Sequence, residues 1–113
     1  MGSENRRQER IKCYAKVVYV QSMTPGYIRD LSATGCHISF VQPIQAKRED
    51  VIEIKVVAGG DPQDAPFTFP LRVRWVKVDG IYFSLGGDIA EGLSDSVKGP
   101  FAKLVSYYQG NDS

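Results

Sequence analysis

The sequence predicts a mainly β fold, an antiparallel barrel of about six short strands followed by one C-terminal α-helix. Short runs of alternating apolar and polar residues are separated by turn residues, a pattern typical of half-buried strands. Near the C-terminus the period changes, and a stripe of apolar residues acquires helical spacing: Val97, Phe101, Leu104, Val105 and Tyr108.

The first third of the chain is expected to hold three strands. Alternation predicts a strand over residues 11–20, and a turn signal at residues 24–26 separates it from a short strand over 27–29. The segment DLSATG, residues 30–35, favours a turn, although it stands where a strand pattern would otherwise continue. Alternation resumes over residues 36–41.

Two further strands and a hairpin follow. Alternation predicts a strand over residues 52–57 and a longer one over 67–78. Asp79-Gly80 is the strongest hairpin signal in the chain, with a return strand over 81–85 and a bulge or close backbone approach at Gly86-Gly87. The longer strand places four large apolar residues on one face, which we expect to be the core face: Phe69, Leu71, Val73 and Trp75.

Length and composition suit a single domain over residues 1–113. The polar N-terminus predicts a flexible, arginine-bearing arm over 1–10, followed by the barrel over 11–93 and the helix over 94–110, which begins near Pro100 or is kinked there. Hydrophobic residues make up 42% of the chain, enough for a core. A net charge of +1 argues against binding to nucleic-acid polymers.

Several classes of function are disfavoured. Cys13 and Cys36 lie in apolar runs and are expected to be buried thiols rather than a disulfide, and a single histidine argues against a metal site. We expect neither a cofactor nor catalytic residues, because no nucleophile–base pair is evident. No apolar run is long enough for membrane insertion, so a cytoplasmic protein is expected.

Two short motifs could carry ligand chemistry. Arg6-x-x-x-Arg10, with Arg7 between, is by itself most simply a solvated arm, but guanidinium groups also bind phosphate oxygens and the O6 and N7 atoms of guanine. Asp30-x-Ser32-x-x-Gly35 is by itself most simply a turn, with Gly35 at positive φ. Its carboxylate also matches the N1–H and N2–H₂ donors of guanine. Together the motifs predict a recognition site for a guanine nucleotide.

The ordered pair, ENRRQER and then RDLSATGCHISF, resembles the PilZ domain, whose hallmarks are RxxxR and [D/N]xSxxG. The resemblance covers nearly the whole chain. It implies a six-stranded, PilZ-like split barrel that binds the bacterial second messenger cyclic di-GMP. The segment DLSATG would present one wall of the ligand site and the arm the other, so that ligand binding orders the arm and signals to a downstream protein partner.

The resemblance assigns the residues of the two motifs to the ligand: Arg6, Arg10, Asp30, Ser32 and Gly35. Further contacts are possible from Arg7, Arg29 and His37. Trp75 is expected to be a core residue, with a stacking platform as the alternative. Arg72 and Arg74 are expected to form a solvated sheet face, with phosphate binding as the alternative. The resemblance leaves biofilm formation and motility open as pathways. The alternative is a PilZ-like module that binds other proteins without any ligand.

Overall fold

The computed structural model describes residues 10–59, 65–90 and 95–111. These residues form seven strands and one helix. In chain order they are β1 (Ile11–Lys12), β2 (Lys16–Tyr19), β3 (Thr24–Leu31), β4 (Gly35–Phe40), β5 (Val51–Ala58), β6 (Phe67–Asp79), β7 (Tyr82–Ile89) and α1 (Asp95–Asn111). The junction predicted between residues 93 and 94 lies outside the described residues.

The strands form one sheet that closes on itself. The order is β1-β3-β2-β5-β6-β7-β4, every pairing is antiparallel, and an additional pairing of β3 with β4 completes the ring. Strands β2 to β7 therefore make a six-stranded barrel, and β1 is an extra strand on β3. The predicted fold class, a six-stranded antiparallel barrel with a C-terminal helix, is confirmed.

The first predicted strand is divided into β1 and β2, which both pair with β3. The residues between them still follow β3, since the Cys13 amide donates to the Arg29 carbonyl and the Ala15 carbonyl accepts from the Ile28 amide. Burial alternates without interruption through the division. The sequence pattern therefore predicted the buried face correctly and missed only the change in pairing.

The predicted turn at residues 24–26 is wrong, because these residues begin β3. The chain reverses just before them, and Met23 there has a φ of 57°. Gly26 serves packing instead, since a Cβ on it would lie 2.6 Å from Phe40 Cδ1. A glycine required by a neighbouring ring looks the same in the sequence as a glycine required by a turn.

The hairpin predicted at Asp79-Gly80 is present, with Asp79 paired to Tyr82 across a two-residue loop and Gly80 at a φ of 65°. Its return strand β7 is longer than predicted and includes Gly86 and Gly87. Strand β6 continues past the last residue that pairs with β5, Arg72. The outer end of the hairpin therefore extends beyond β5.

Helix α1 packs against one side of the barrel. Phe101 meets the buried Phe69 of β6 edge to face, with ring centroids 5.2 Å apart, and the Tyr108 hydroxyl donates to the Gly59 carbonyl. Pro100 lies inside the helix, which begins five residues earlier at Asp95. In the part of the chain that the structure describes, no helix is long and apolar enough to cross a membrane.

Both cysteines are free and buried. Burial raises the pKa of the Cys13 thiol from 9.0 to about 11, and burial also raises the pKa of Cys36. Burial likewise raises the pKa of Tyr108 from 10.0 to about 12. All three groups therefore stay neutral to a higher pH in the folded protein than in the unfolded chain.

We predict that the free energy of unfolding falls as pH rises from 9 to 11. A thiol whose pKa is raised by folding stabilises the protein fully below its unfolded pKa, and that contribution is lost as pH rises through the folded pKa. For Cys13 the window is pH 9 to 11. Within its window each thiol should lower the free energy of unfolding by about 1 kcal/mol per pH unit. The measurement is urea unfolding under reducing conditions.

The control is Cys13→Ala. It should lower stability at every pH because it leaves a small cavity, but its stability should depend less on pH than that of the wild type. An identical pH dependence in the two proteins would show that Cys13 does not carry the effect.

Candidate functional site

Arg10 and Asp30 form an ion pair at one end of the barrel. Strand β1 pairs with β3 so that Ile11 lies opposite Leu31 and Lys12 opposite Asp30, which brings the preceding Arg10 to the same end of the sheet. Arg10 Nε and Nη2 lie 2.9 and 2.7 Å from Asp30 Oδ1. The structure thus joins one residue from each of the two sequence motifs.

The second oxygen of Asp30 faces His37, which is opposite it on β4. His37 Nδ1 lies 3.3 Å from Asp30 Oδ2, and His37 Nε2 is buried without a hydrogen-bond partner among the described residues. The imidazole also lies beside the indole of Trp75, with ring centroids 5.1 Å apart. Asp30 is therefore held between a guanidinium and an imidazole.

The turn between β3 and β4 is shorter than the sequence suggests. Only residues 32–34 lie outside the strands, because Asp30 belongs to β3 and Gly35 to β4. The Ser32 amide donates to the Gly35 carbonyl at 2.9 Å, and Ser32 Oγ accepts a long bond of 3.4 Å from the Thr34 amide. The buried Ser32 hydroxyl therefore helps to shape this turn.

Gly35 is required by a neighbouring strand. A Cβ on Gly35 would lie 2.1 Å from the Gly87 carbonyl oxygen of β7. Gly35 does not have the positive φ that the turn interpretation predicted. The glycine of the second motif therefore allows β4 and β7 to approach closely beneath the turn.

Trp75 is not in the core, contrary to the sequence prediction, and its side chain is 39% exposed. The register of β6 against β7 shifts here, since Val73 lies opposite Gly87 and Trp75 opposite Gly86. The extra residue in β6, Arg74, moves Trp75 from the inner to the outer face. A Cβ on Gly86 would lie 2.4 Å from the indole nitrogen, so the ring lies directly on this glycine.

These features surround a cleft of about 150 Å³. Its wall combines the two sequence motifs with residues of the β6–β7 hairpin, a combination that the sequence did not predict. The lining includes Arg10, Ser32, Gly35, Arg74, Trp75 and Asp88. The only sequence signals for the hairpin wall were the paired glycines of β7 and the Arg-Trp dipeptide of β6.

The second arginine of the cleft, Arg74, is also paired with carboxylates. Its Nε donates to Asp88 Oδ2 at 2.8 Å, and its Nη1 lies 3.5 Å from Glu49 Oε2. The hydrogen bond to Asp88 is the main cause of a raised pKa of Arg74. Arg74 is half exposed, in line with the solvated face expected for it, and it also lines the cleft.

The remaining predicted residues are distributed as follows. Arg29 donates to Ser39 Oγ at 3.3 Å, and Ser39 is in turn hydrogen-bonded to Ser84, so Arg29 is directed along the outer sheet face and does not line the cleft. Arg6 and Arg7 lie outside the described residues.

Comparison with known proteins identifies a family and a similar solved structure. The family model described as PilZ domain matches residues 4–96. The solved structure of the Bacillus subtilis inhibitor of motility, MotI/DgrA, superposes with a TM-score of 0.73 at 11% sequence identity, over 95% of this chain and 50% of that chain. The present chain thus spans half the length of that protein, and the likeness concerns the fold. No curated protein matches the sequence.

We predict that Gly35→Ala destabilises the protein by about 1–3 kcal/mol or more, because the new methyl group meets a backbone oxygen that cannot move independently. The measurement is the free energy of unfolding in urea.

Gly99→Ala is the matched control, since Gly99 lies in α1 with open space around it. This change should alter stability by less than about 1 kcal/mol, because the helix preference of alanine is opposed by the contact of its Cβ with the following Pro100. Equal stability of the two variants would contradict the packing role of Gly35.

Proposed function

Because the chain belongs to the PilZ domain family, we propose that it is a non-enzymatic receptor for cyclic di-GMP and that the cleft beside Arg10 and Asp30 is its binding site. The observation that carries the proposal is the ion pair itself. It joins the last arginine of RxxxR, which lines the cleft, to the aspartate of DxSxxG directly behind that arginine. The receptor would act in the cytoplasm, without a further cofactor.

The chemistry of the cleft suits guanine. An ionised carboxylate offers about four lone-pair sites, and Asp30 uses one oxygen for Arg10 and the other for His37. A base would therefore share these acceptor sites with Arg10 and His37 to pair its N1–H and N2–H₂ groups with Asp30. Arg10 can meet the O6 and N7 atoms of guanine or a phosphate. The exposed indole of Trp75 offers an aromatic face on which a base can stack.

The volume of the cleft indicates that it holds only part of the ligand. Sites for drug-sized ligands enclose roughly 300–1,000 Å³, whereas this cleft has about 150 Å³. A cyclic dinucleotide with two bases therefore requires an additional wall. We assign that wall to the arm over residues 1–10, with Arg6 as a guanine and phosphate ligand and Arg7 beside it.

Closure of the arm would be the signal. An arm that contacts the ligand is favoured in its closed arrangement by the binding energy, which also meets the cost of ordering it. The surface that a downstream protein encounters then differs between the free and the bound state. The family connects such receptors to motility and to biofilm formation, and we propose a protein partner in one of these pathways.

A second candidate function is a module that binds proteins without a ligand. It is favoured by the apolar end of the β6–β7 hairpin, where Val78 and Ile81 are 73% and 76% exposed. A thermal shift assay separates the two functions. Cyclic di-GMP raises the melting temperature of a receptor and leaves that of a ligand-independent module unchanged.

We predict saturable binding of cyclic di-GMP in isothermal titration, with no binding of GTP or cyclic di-AMP. Arg10→Ala and Asp30→Ala should each weaken binding at least about tenfold, because each removes a charged hydrogen-bonding group. Arg48→Ala is the matched control, since Arg48 is exposed and does not line the cleft. Unchanged affinity in both the Arg10→Ala and Asp30→Ala variants would refute the proposed site.

A second prediction uses the single tryptophan of the chain, Trp75. Because its indole lines the cleft, cyclic di-GMP should change its fluorescence with the same midpoint that calorimetry gives. The Arg10→Ala variant should lose the signal at the same ligand concentration. Calorimetric binding without any change in emission would show that the ligand does not contact Trp75.

A further inference from the structure

The backbone position of Arg74 determines where its side chain points. It is the extra residue where β6 shifts register against β7, and such bulges commonly re-aim a side chain. Its side chain is half exposed and lines the same cleft as Arg10. The cleft is therefore lined by two arginines, Arg10 from the N-terminal part of the chain and Arg74 from β6.

The two arginines share a second property, since each is held by an acidic residue. Arg10 pairs with Asp30 and Arg74 with Asp88, both at hydrogen-bonding distance. Asp88 lines the cleft, so its charge is also available to repel an anion. An anionic ligand that enters the cleft meets arginines whose donors are already partly engaged.

Arg74 can leave Glu49 without isolating that carboxylate, because Glu49 has other arginine partners. Its carboxylate lies within 4.0 Å of three arginines: Arg48, Arg72 and Arg74. With Asp88 included, three guanidinium groups face two carboxylates, so this cluster keeps one net positive charge. If Arg74 turns away, Glu49 still has two arginine partners. Exposed ion pairs of this kind contribute little stability, so breaking the Arg74–Asp88 pair costs little.

We propose that Arg74 is a phosphate-binding residue of the cleft and that Asp88 competes with the ligand phosphate for it. This inference rests on the proposed function of the cleft. A phosphate replaces the Asp88 carboxylate on the guanidinium, with which it can form two parallel hydrogen bonds. Asp88 is then a positioning residue. It holds Arg74 at the cleft in the empty protein and lowers the affinity for anions.

Calorimetric titration with cyclic di-GMP tests the inference through changes of opposite sign. Arg74→Ala should weaken binding by about tenfold, because a charged hydrogen-bonding partner of the phosphate is lost. Asp88→Asn should strengthen binding by about threefold, because the competing charge is removed from an exposed pair. Arg72→Ala is the matched control. Arg72 also contacts Glu49 but does not line the cleft, so its loss should change affinity by less than about twofold.

The double variant Arg74→Ala/Asp88→Asn separates competition from a general charge effect. If Asp88 acts through Arg74, the double variant binds like Arg74→Ala, and the gain from Asp88→Asn disappears. A gain that persists in the double variant overturns the competition. Affinities of Arg74→Ala and Asp88→Asn equal to that of the wild type overturn the inference but leave the receptor function intact. A wild-type protein that does not bind cyclic di-GMP overturns both.

Discussion

The close contact between β4 and β7 at Gly35 and Gly87 is the constraint on which barrel and cleft both depend. A Cβ on Gly35 would overlap the Gly87 carbonyl of β7 at this crossing, and on the other side of β7 a Cβ on Gly87 would overlap the Arg72 carbonyl of β6. The same glycine-rich part of β7 accommodates the indole of Trp75 over Gly86. The absence of side chains on this part of β7 therefore allows the neighbouring strands to pack closely and leaves space for the cleft.

The arginines at the cleft are held in ion pairs. The chain as a whole carries a net charge of +1, which gives no general attraction for an anion. At the cleft, however, Arg10 and Arg74 are each paired with a carboxylate that a ligand can share or replace. In the proposed receptor, Asp30 differs from Asp88 in that a guanine base would also use it as an acceptor. Two similar ion pairs would then have opposite effects on binding.

Local pattern predicted much of the fold. Alternation in β5 and in the first part of β6 identified the buried residues, because successive side chains of a strand point to opposite faces. The prediction failed where a glycine could serve either a turn or close packing, and where a bulge changed the face on which a side chain lies. Gly26 was assigned to a turn, and Trp75 was assigned to the core because the extra residue at Arg74 could not be seen without the register of β7.

The sequence by itself determined the barrel with its helix, the two buried thiols and the two motifs that resemble those of a nucleotide receptor. These depend on the period of apolar residues and on short spacings, which are local properties. Only the tertiary structure decided which residues share the cleft. Arg10 is paired with Asp30, twenty residues away, and shares the cleft with Trp75 and Asp88 of a distant hairpin. Strand pairing and one bulge bring them together, and both are set by contacts between segments far apart in the chain.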